Sequence, residues 1–374
     1  MKPRVVAVSC LTAALVAMSA IPAIAQKLSE PTKIWTIGPL TKPLVMTAGN
    51  FSFGAGGPQF SAMHEITDTQ TRSVFSATRS IAFAGDRIVV ASKTGTRTVE
   101  GASIPASVYS VLSLDAQTGE VRNKREFDAF TSLLVLATND VHVIVAGRTV
   151  TRLAPDLTDA GQFDYAADGH RSGNIENISP DGSMLGNATS PGFELIDTRT
   201  LKAVEITQSG AAGTSVNSSG FITDNVHWIR DYPKDLDFVT YTDAAGDHLL
   251  YHGNCGGRPQ FLTNDLILLP GCKSPIIIDT HGNVVRTLAI KGNCSFAGVS
   301  QNGKKLALQQ KTFDSEGHTL KKERFVIYSI DTGEAVTEVS PPERAEGQSW
   351  TAFSPDGTLF AVGSPMKLAL YRLP

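Results

Sequence analysis

One acidic turn recurs along most of the chain at a nearly constant interval. In each copy a strand-like apolar segment runs into an aspartate, a polar turn follows, and a second strand-like segment begins. The aspartates lie about 43 residues apart on average, at Asp115, Asp156, Asp197, Asp243, Asp279 and Asp331. A period of this length is typical of folds that stack equivalent modules of about four short strands.

A second, shorter turn alternates with the first and recurs seven times. It is built from Gly, Asn, Asp, Ser and Pro, which suit the φ angles of tight hairpins. The copies are Gly85-Asp86, Asn139-Asp140, Pro180-Asp181-Gly182, Ser219-Gly220, Asn264-Asp265, Asn302-Gly303 and Pro355-Asp356-Gly357. Between the turns lie short runs of β-branched and aromatic residues, such as Val141–Val145 and Leu266–Leu269. The sequence therefore predicts an all-β, seven-bladed β-propeller with four-stranded antiparallel blades, as a single domain over residues 26–374.

Three of these turns resemble those of a known group of proteins. Ser179–Gly182 and Ser354–Gly357 both read Ser-Pro-Asp-Gly, and Asp331–Glu334 reads Asp-Thr-Gly-Glu. They are similar to turns of bacterial seven-bladed propellers, a superfamily that includes WD40-like and YVTN-type repeats and the propellers related to quinoprotein amine dehydrogenase. The resemblance covers nearly the whole chain after residue 25 and implies the fold, not an activity. No blade ends in the Trp-Asp pair of true WD40 repeats.

The last blade is one strand short when its strands are counted. Ser349–Phe353, Leu359–Gly363 and Lys367–Leu373 supply three strands, and the sequence then ends. The segment Lys33–Ile37 is strand-like and belongs to no other blade. We expect it to pair with the final strand and to close the ring, because closure protects two open sheet edges.

The first 25 residues resemble an export signal. Lys2 and Arg4 precede an apolar run from Val5 to Ala20, and Ala23-Ile24-Ala25 forms a small-x-small cleavage site. We expect cleavage before Gln26, although an uncleaved membrane anchor is the rival interpretation. No later stretch approaches eighteen apolar residues. The prediction is an exported protein, periplasmic or extracellular, with no membrane span after cleavage.

Charge and motif content narrow the classes of function. The chain has 33 basic and 36 acidic residues, a net charge of −3, so it lacks the basic excess that nucleic-acid binding requires. The nucleophile elbow, the phosphate-binding loop, a complete dinucleotide fingerprint and the haem attachment motif do not occur in the sequence. We expect no cofactor, no metal and a monomeric protein.

Three cysteines follow the signal segment. Cys255 and Cys272 flank the Asn264-Asp265 hairpin, so folding the hairpin brings them to the same end of adjacent strands. Because an exported protein meets an oxidising environment, we predict a disulfide between them. A zinc site that adds His252 and Cys294 is the alternative, although its spacing matches no compact zinc motif.

Candidate ligand-binding residues follow from the propeller geometry. The innermost strands all begin on one face, so that face collects one connecting loop from each blade. Counting back from the hairpin turns selects His170, Arg171, Arg258, Asp128 and Trp350, together with Arg79, Cys255 and Cys294. The adjacent donors His170 and Arg171 suit an anionic ligand.

Two functions remain open at this point. The first is an exported, non-catalytic propeller that binds a protein or another cell-envelope ligand on this loop face. The second is a propeller enzyme, either a lactonase- or hydrolase-like protein with a metal in the channel or a quinoprotein-like oxidoreductase. The absence of catalytic motifs favours the first hypothesis, although propeller enzymes assemble their sites from scattered loops.

Overall fold

A computed structural model of the chain describes residues 28–38, 51–54, 57–60, 78–102, 105–130, 133–145, 149–164, 173–189, 192–207, 215–227, 236–253, 255, 258–290, 294–314, 320–343, 349–364 and 367–374. Within these residues the chain forms strands and no helix, so no described segment is a helix that could cross a membrane. The predicted signal segment lies outside the described residues, and its cleavage stays a prediction.

The strands form seven four-stranded antiparallel sheets, which confirms the predicted seven-bladed propeller. Each of the first six blades takes four consecutive strands, and its first strand is the innermost. Blade 1 contains β4 (Thr78–Ala84), β5 (Arg87–Arg97), β6 (Ala106–Asp115) and β7 (Val121–Ala129). Blade 2 contains β8 (Leu133–Ala137), β9 (Val141–Val145), β10 (Thr149–Leu153) and β11 (Asp159–Asp164). Blade 3 contains β12 (Gly173–Ile178), β13 (Met184–Thr189), β14 (Gly192–Asp197) and β15 (Ala203–Thr207).

The remaining blades follow in the same order. Blade 4 contains β16 (Ser215–Val216), β17 (Gly220–His227), β18 (Leu236–Asp243) and β19 (Gly246–Gly253). Blade 5 contains β20 (Gln260–Phe261), β21 (Leu266–Leu269), β22 (Ile276–Asp279) and β23 (Val284–Thr287). Blade 6 contains β24 (Cys294–Val299), β25 (Lys305–Phe313), β26 (Leu320–Ser329) and β27 (Ala335–Val339). Blade 7 contains β28 (Trp350–Phe353), β29 (Leu359–Gly363), β30 (Leu368–Arg372) and β1 (Thr32–Ile37), and a separate hairpin joins β2 (Phe51–Gly54) to β3 (Gly57–Phe60).

The N-terminal strand closes the ring as predicted. β1 pairs antiparallel with β30, from Thr32 opposite Arg372 to Ile37 opposite Leu368. The indole Nε1 of Trp35 also donates a hydrogen bond of 3.0 Å to the carbonyl oxygen of Ala116 in blade 1. The first described strand therefore completes the last blade and contacts the next one.

The repeated aspartates are turn formers between the third and fourth strands of the blades. In five of the six copies a carboxylate oxygen accepts a hydrogen bond from the backbone NH two residues later, at 2.8 to 3.0 Å. Such an Asx turn is local, so it can form wherever the short motif occurs. The sequence period therefore marks the turns of the fold.

The core of the protein lies between the blades. Seven clusters of buried apolar side chains occur in the described residues, one at each interface between neighbouring blades. The cluster between blades 7 and 1 contains Leu370 and Ile88 and is covered in part by Trp35. Because each blade buries its faces only against its neighbours, the ring is a single packing unit.

Candidate functional site

A central channel runs through the ring and is lined by the innermost strands of all seven blades. Its volume is about 290 Å³, and among the described lining residues no side chain carries a charge. Its polar groups are hydroxyls and amides, from Thr138, Asn177, Ser179, Ser215, Gln260, Gln301 and Thr351. Carboxylates, imidazoles and thiolates are the protein ligands that zinc takes. The described channel wall therefore does not supply the metal ligands that the hypothesis of a channel metal requires.

On the bottom face, the turns between first and second strands contact one another. The Asn264 side-chain amide donates to the Asp181 carboxylate at 2.8 Å, and the Asn217 amide donates to the Asn264 carbonyl oxygen at 2.8 Å. On the other side of the ring, the Asn302 amide donates to the Asp356 carbonyl oxygen at 2.7 Å. These polar groups are occupied within the protein, so they are poor candidates for ligand binding.

The top face, where the innermost strands begin, has a different shape. In blade 1 the β5–β6 hairpin extends beyond the inner strand, because residues 93–97 of β5 pair with β6 but not with β4. In blade 6 the β25–β26 hairpin does the same, since 311–313 pair only with β26. Both hairpins therefore extend past the inner strands at the top of their blades.

Two exposed aromatic side chains lie on this top face. Phe130, which is 46% exposed, follows the outermost strand of blade 1, and Phe313, which is 47% exposed, ends β25. They are the exposed large aromatic residues in the described part of the chain. Aromatic residues are enriched in protein–protein interfaces.

A second cavity opens beside the channel mouth, between blades 5 and 6. This mouth cavity has a volume of about 300 Å³ and is lined by Arg258, Gln260, Pro270, Gly271, Cys294, Ser295 and Phe296. Gln260 and Phe296 line the channel as well, so the two spaces adjoin. Arg258 is exposed, and its cavity contains no acidic side chain among the described residues. The cavity therefore offers a guanidinium donor beside apolar surface.

The predicted disulfide borders this cavity. Cys255 and Cys272 are bonded, which ties the segment before β20 to the loop between β21 and β22. Cys294 keeps a free thiol, which lies 3.7 Å from the carbonyl oxygen of Pro270. Burial raises the pKa of the Cys294 thiol above its usual value. Burial, with a smaller contribution from Cys294, raises the pKa of Tyr328 to about 12.

These facts decide between the two interpretations of the cysteines. The disulfide uses the thiols of Cys255 and Cys272, which the alternative zinc site required as thiolates. Burial raises the pKa of the third thiol, Cys294, and so disfavours the thiolate that acts as a nucleophile or a zinc ligand. Within the described residues, no group of three or more His, Cys, Asp or Glu side chains has the arrangement of a metal site.

The structure brings some of the predicted residues together and separates others. Arg258, Cys294 and Trp350 lie at or just before the start of inner strands on the top face. Arg258 and Cys294 share the mouth cavity, whereas Trp350 packs against the apolar cluster between blades 7 and 1. Arg79 lies within β4, and His170 and Arg171 lie outside the described residues.

The predicted position of Asp128 is wrong. Asp128 is on β7, the outermost strand of blade 1, where its carboxylate forms an ion pair of 3.1 Å with Arg97. Only residues 130–132 connect β7 to β8. Because this connection is short, counting back from the Asn139-Asp140 turn passes the start of the inner strand and reaches the outermost strand of blade 1. Whether Asp128 or the other candidates contact a ligand stays a prediction.

Sequence reasoning missed several residues of the top face. Gln260 and Phe296 line both cavities, and Phe130 and Phe313 are the exposed aromatics. The position of Phe296 shortly before the Asn302-Gly303 turn could have placed it on the inner strand of its blade. No local signal distinguishes Phe130 or Phe313 from a buried phenylalanine, because exposure depends on the neighbouring blades.

Comparisons with known proteins address the fold. No protein-family model matches the sequence, and no curated protein matches it either. A chain in the crystal structure of a mitotic checkpoint complex is similar with a TM-score of 0.51 at 12% identity, over 98% of this chain and 99% of that one. The Pan2 WD40 domain of Neurospora crassa is similar with a TM-score of 0.50 at 10% identity, over 80% of this chain and 90% of that one. At this identity the similarity shows a shared propeller architecture, and the superfamily suggested by the turn motifs stays a prediction.

Proposed function

We propose that this protein is an exported, non-catalytic propeller that binds a protein partner on its top face. The observation that carries the proposal is the contrast between the two faces. The top face has two extended hairpins, a mouth cavity and two exposed aromatic side chains, Phe130 and Phe313. The described turns of the bottom face are hydrogen-bonded to one another. Exposed aromatic residues are typical of a partner-binding site.

Export is supported by the sequence and by the disulfide together. The signal-like segment ends in Ala-Ile-Ala before Gln26, and disulfides persist mainly outside the cytoplasm. N-terminal sequencing of the protein from the cell envelope should therefore begin at Gln26. A protein that keeps residues 1–25 would contradict this part of the proposal.

Site-specific photo-crosslinking tests the binding face. A photo-reactive amino acid replaces Phe130 or Phe313 in the producing cells, and Leu249 provides the matched control. Leu249 is 61% exposed but lies on β19, the outermost strand of blade 4, away from the top face. We expect a discrete crosslinked species from the two phenylalanine positions and none from Leu249.

The competing outcomes are distinct in the same experiment. Crosslinks of equal strength at all three positions would indicate non-specific contact with apolar surface. No crosslink at Phe130 or Phe313, in variants that accumulate normally, would refute a partner on the top face. Double substitution to Phe130→Ser and Phe313→Ser should abolish capture of the same partner by affinity purification, whereas Leu249→Ser should not.

A further inference from the structure

The mouth cavity between blades 5 and 6 presents two polar side chains that have no partner among the described residues. Arg258 is exposed, and its guanidinium makes no ion pair or hydrogen bond to another described residue. Gln260 is half-buried, and its side-chain amide likewise makes no hydrogen bond within the described part of the chain. The hydroxyl of Ser295 is engaged instead, because it donates to the side-chain oxygen of Gln309 at 3.2 Å. The NH groups of Arg258 and Gln260 are therefore the donors that a ligand in this cavity can use.

This part of the chain is poor in acidic residues, which leaves Arg258 without a nearby counter-charge. None of the described residues that line the cavity is acidic. In the sequence, Asp279 is the only acidic residue between Asp265 and Asp314. Asp265 and Asp279 lie in turns at the bottom of blade 5, at the opposite end of its strands from the cavity. An anion in the cavity therefore meets a guanidinium and no carboxylate among the described lining residues.

The remaining wall of the mouth cavity is apolar, and its frame is covalently joined. Pro270 and Phe296 supply apolar surface. The disulfide between Cys255 and Cys272 joins the segment that carries Arg258 to the segment that carries Pro270. Such a link reduces the conformational freedom that a ligand has to remove on binding. The volume of about 300 Å³ is at the lower end of the range for small-molecule sites, about 300–1,000 Å³, so the cavity suits a small group.

We propose that the mouth cavity binds a carboxylate that carries a short apolar chain, with Arg258 as its main donor. A guanidinium presents paired NH donors that match the two oxygens of a carboxylate. The amide of Gln260 supplies a further donor, and the apolar chain contacts Pro270 and Phe296. Such a carboxylate belongs to a free short-chain acid or to the C-terminal residue of a polypeptide. The site lies on the top face but does not require the protein partner proposed above.

Titration of the purified protein with sodium hexanoate at low salt, followed by ligand-observed NMR, tests the site. Hexanamide serves as a neutral ligand of nearly the same shape. We expect saturable binding of hexanoate and about tenfold weaker binding of hexanamide, the usual effect of losing one charged hydrogen bond.

Variants of the purified protein locate the binding at Arg258. Arg258→Gln should weaken hexanoate binding about tenfold for the same reason. Arg258→Lys should have an intermediate affinity, because it keeps the charge but loses the paired donors. Lys273→Gln is the matched control, because it removes an exposed cation from the same blade that does not line the cavity. It should change the affinity less than about twofold, the effect of a screened surface charge.

A peptide distinguishes the two sources of the carboxylate. The probes are the tetrapeptide Gly-Gly-Gly-Leu with a free carboxylate and the same peptide with a C-terminal amide. If the peptide acid binds more tightly than hexanoate, the carboxylate is that of a polypeptide C-terminus, and the reverse order assigns it to a free acid. In both cases the amide form should bind about tenfold more weakly than the acid.

The urea midpoint separates loss of the site from loss of the fold. Arg258→Gln should unfold at the wild-type midpoint, because Arg258 is exposed. Equal affinities of hexanoate and hexanamide, or an unchanged hexanoate affinity in Arg258→Gln, would overturn the proposal. So would equal losses in Arg258→Gln and Lys273→Gln, which would indicate general charge attraction, or an absence of saturable binding of both acids. Crosslinking at Phe130 and Phe313 reports on the protein partner separately from any of these outcomes.

Discussion

Trp35 is the residue on which closure of the ring most visibly depends. Its indole NH donates to the Ala116 carbonyl oxygen at 3.0 Å, and its ring packs on Gly119, where an added Cβ would lie 3.0 Å from a ring carbon. It also covers the apolar cluster between blades 7 and 1. One side chain therefore connects the closing strand to the first blade.

Trp35→Ala should lower the free energy of unfolding by about 3 kcal/mol. Trp→Ala costs about 3–5 kcal/mol at a fully buried site, so a half-buried indole contributes about 2 kcal/mol. The lost hydrogen bond adds about 1 kcal/mol. Trp35→Phe keeps most of the packing and loses the hydrogen bond, so about 1 kcal/mol is expected for it.

Urea unfolding followed by far-ultraviolet circular dichroism measures both values without relying on tryptophan emission. Thr36→Ala is the matched control, because Thr36 is exposed on the same strand. We expect the order of stability to be Thr36→Ala, then Trp35→Phe, then Trp35→Ala. If Trp35→Ala unfolded at the same urea midpoint as Thr36→Ala, the N-terminal strand would not close the ring. The prediction of a seventh four-stranded blade would then be refuted.

Three further outcomes test local features of the fold. Replacing both Cys255 and Cys272 by serine should lower the free energy of unfolding by about 3 kcal/mol, because the disulfide closes a loop of 17 residues in the unfolded chain. A reductant should lower the urea midpoint of the wild type but leave that of the variant nearly unchanged. Leu201 has a φ of 57° and occupies the turn position that Gly119 occupies in blade 1. Glycine adopts this conformation without strain, so Leu201→Gly relieves about 1 kcal/mol that Leu201→Ala retains. In the same urea assay, Leu201→Gly should therefore be less destabilising than Leu201→Ala, although both lose the buried side chain. Hydrogen bonds from the backbone NH groups of Thr200 and Arg199 lower the pKa of Asp197 below its ordinary value of 3.8. The ionised Asp197 therefore stabilises the folded protein above pH 3.8, and this stabilisation is lost as the pH falls through the lowered pKa. The urea midpoint of Asp197→Asn should thus lie below that of the wild type at neutral pH, and the difference should disappear in acid.

The sequence by itself determined the features that depend on neighbouring residues. An Asx turn at Asp197 or Asp279 needs only the carboxylate and the backbone NH two residues later, so its motif reports the turn wherever it occurs. The regular spacing of two such turns then determined the number of blades. Counting strands in the last blade determined that Lys33–Ile37 must complete it, as the pairing with β30 shows. The Cys255–Cys272 bond followed in the same way from one hairpin.

Only the tertiary structure decided which side chains meet on the top face. Gln260 and Phe296 belong to different blades, and Glu323 shares its cavity with Glu343 although a strand and a loop separate them. The wrong position predicted for Asp128 has a related cause. The sequence spacing to the next turn does not show that the loop between β7 and β8 is short. Burial and exposure are set by packing between blades, which no local pattern encodes. The Oε2 atom of Glu323 is one example, because only the packing of neighbouring strands buries it, where it has no hydrogen-bond partner among the described residues.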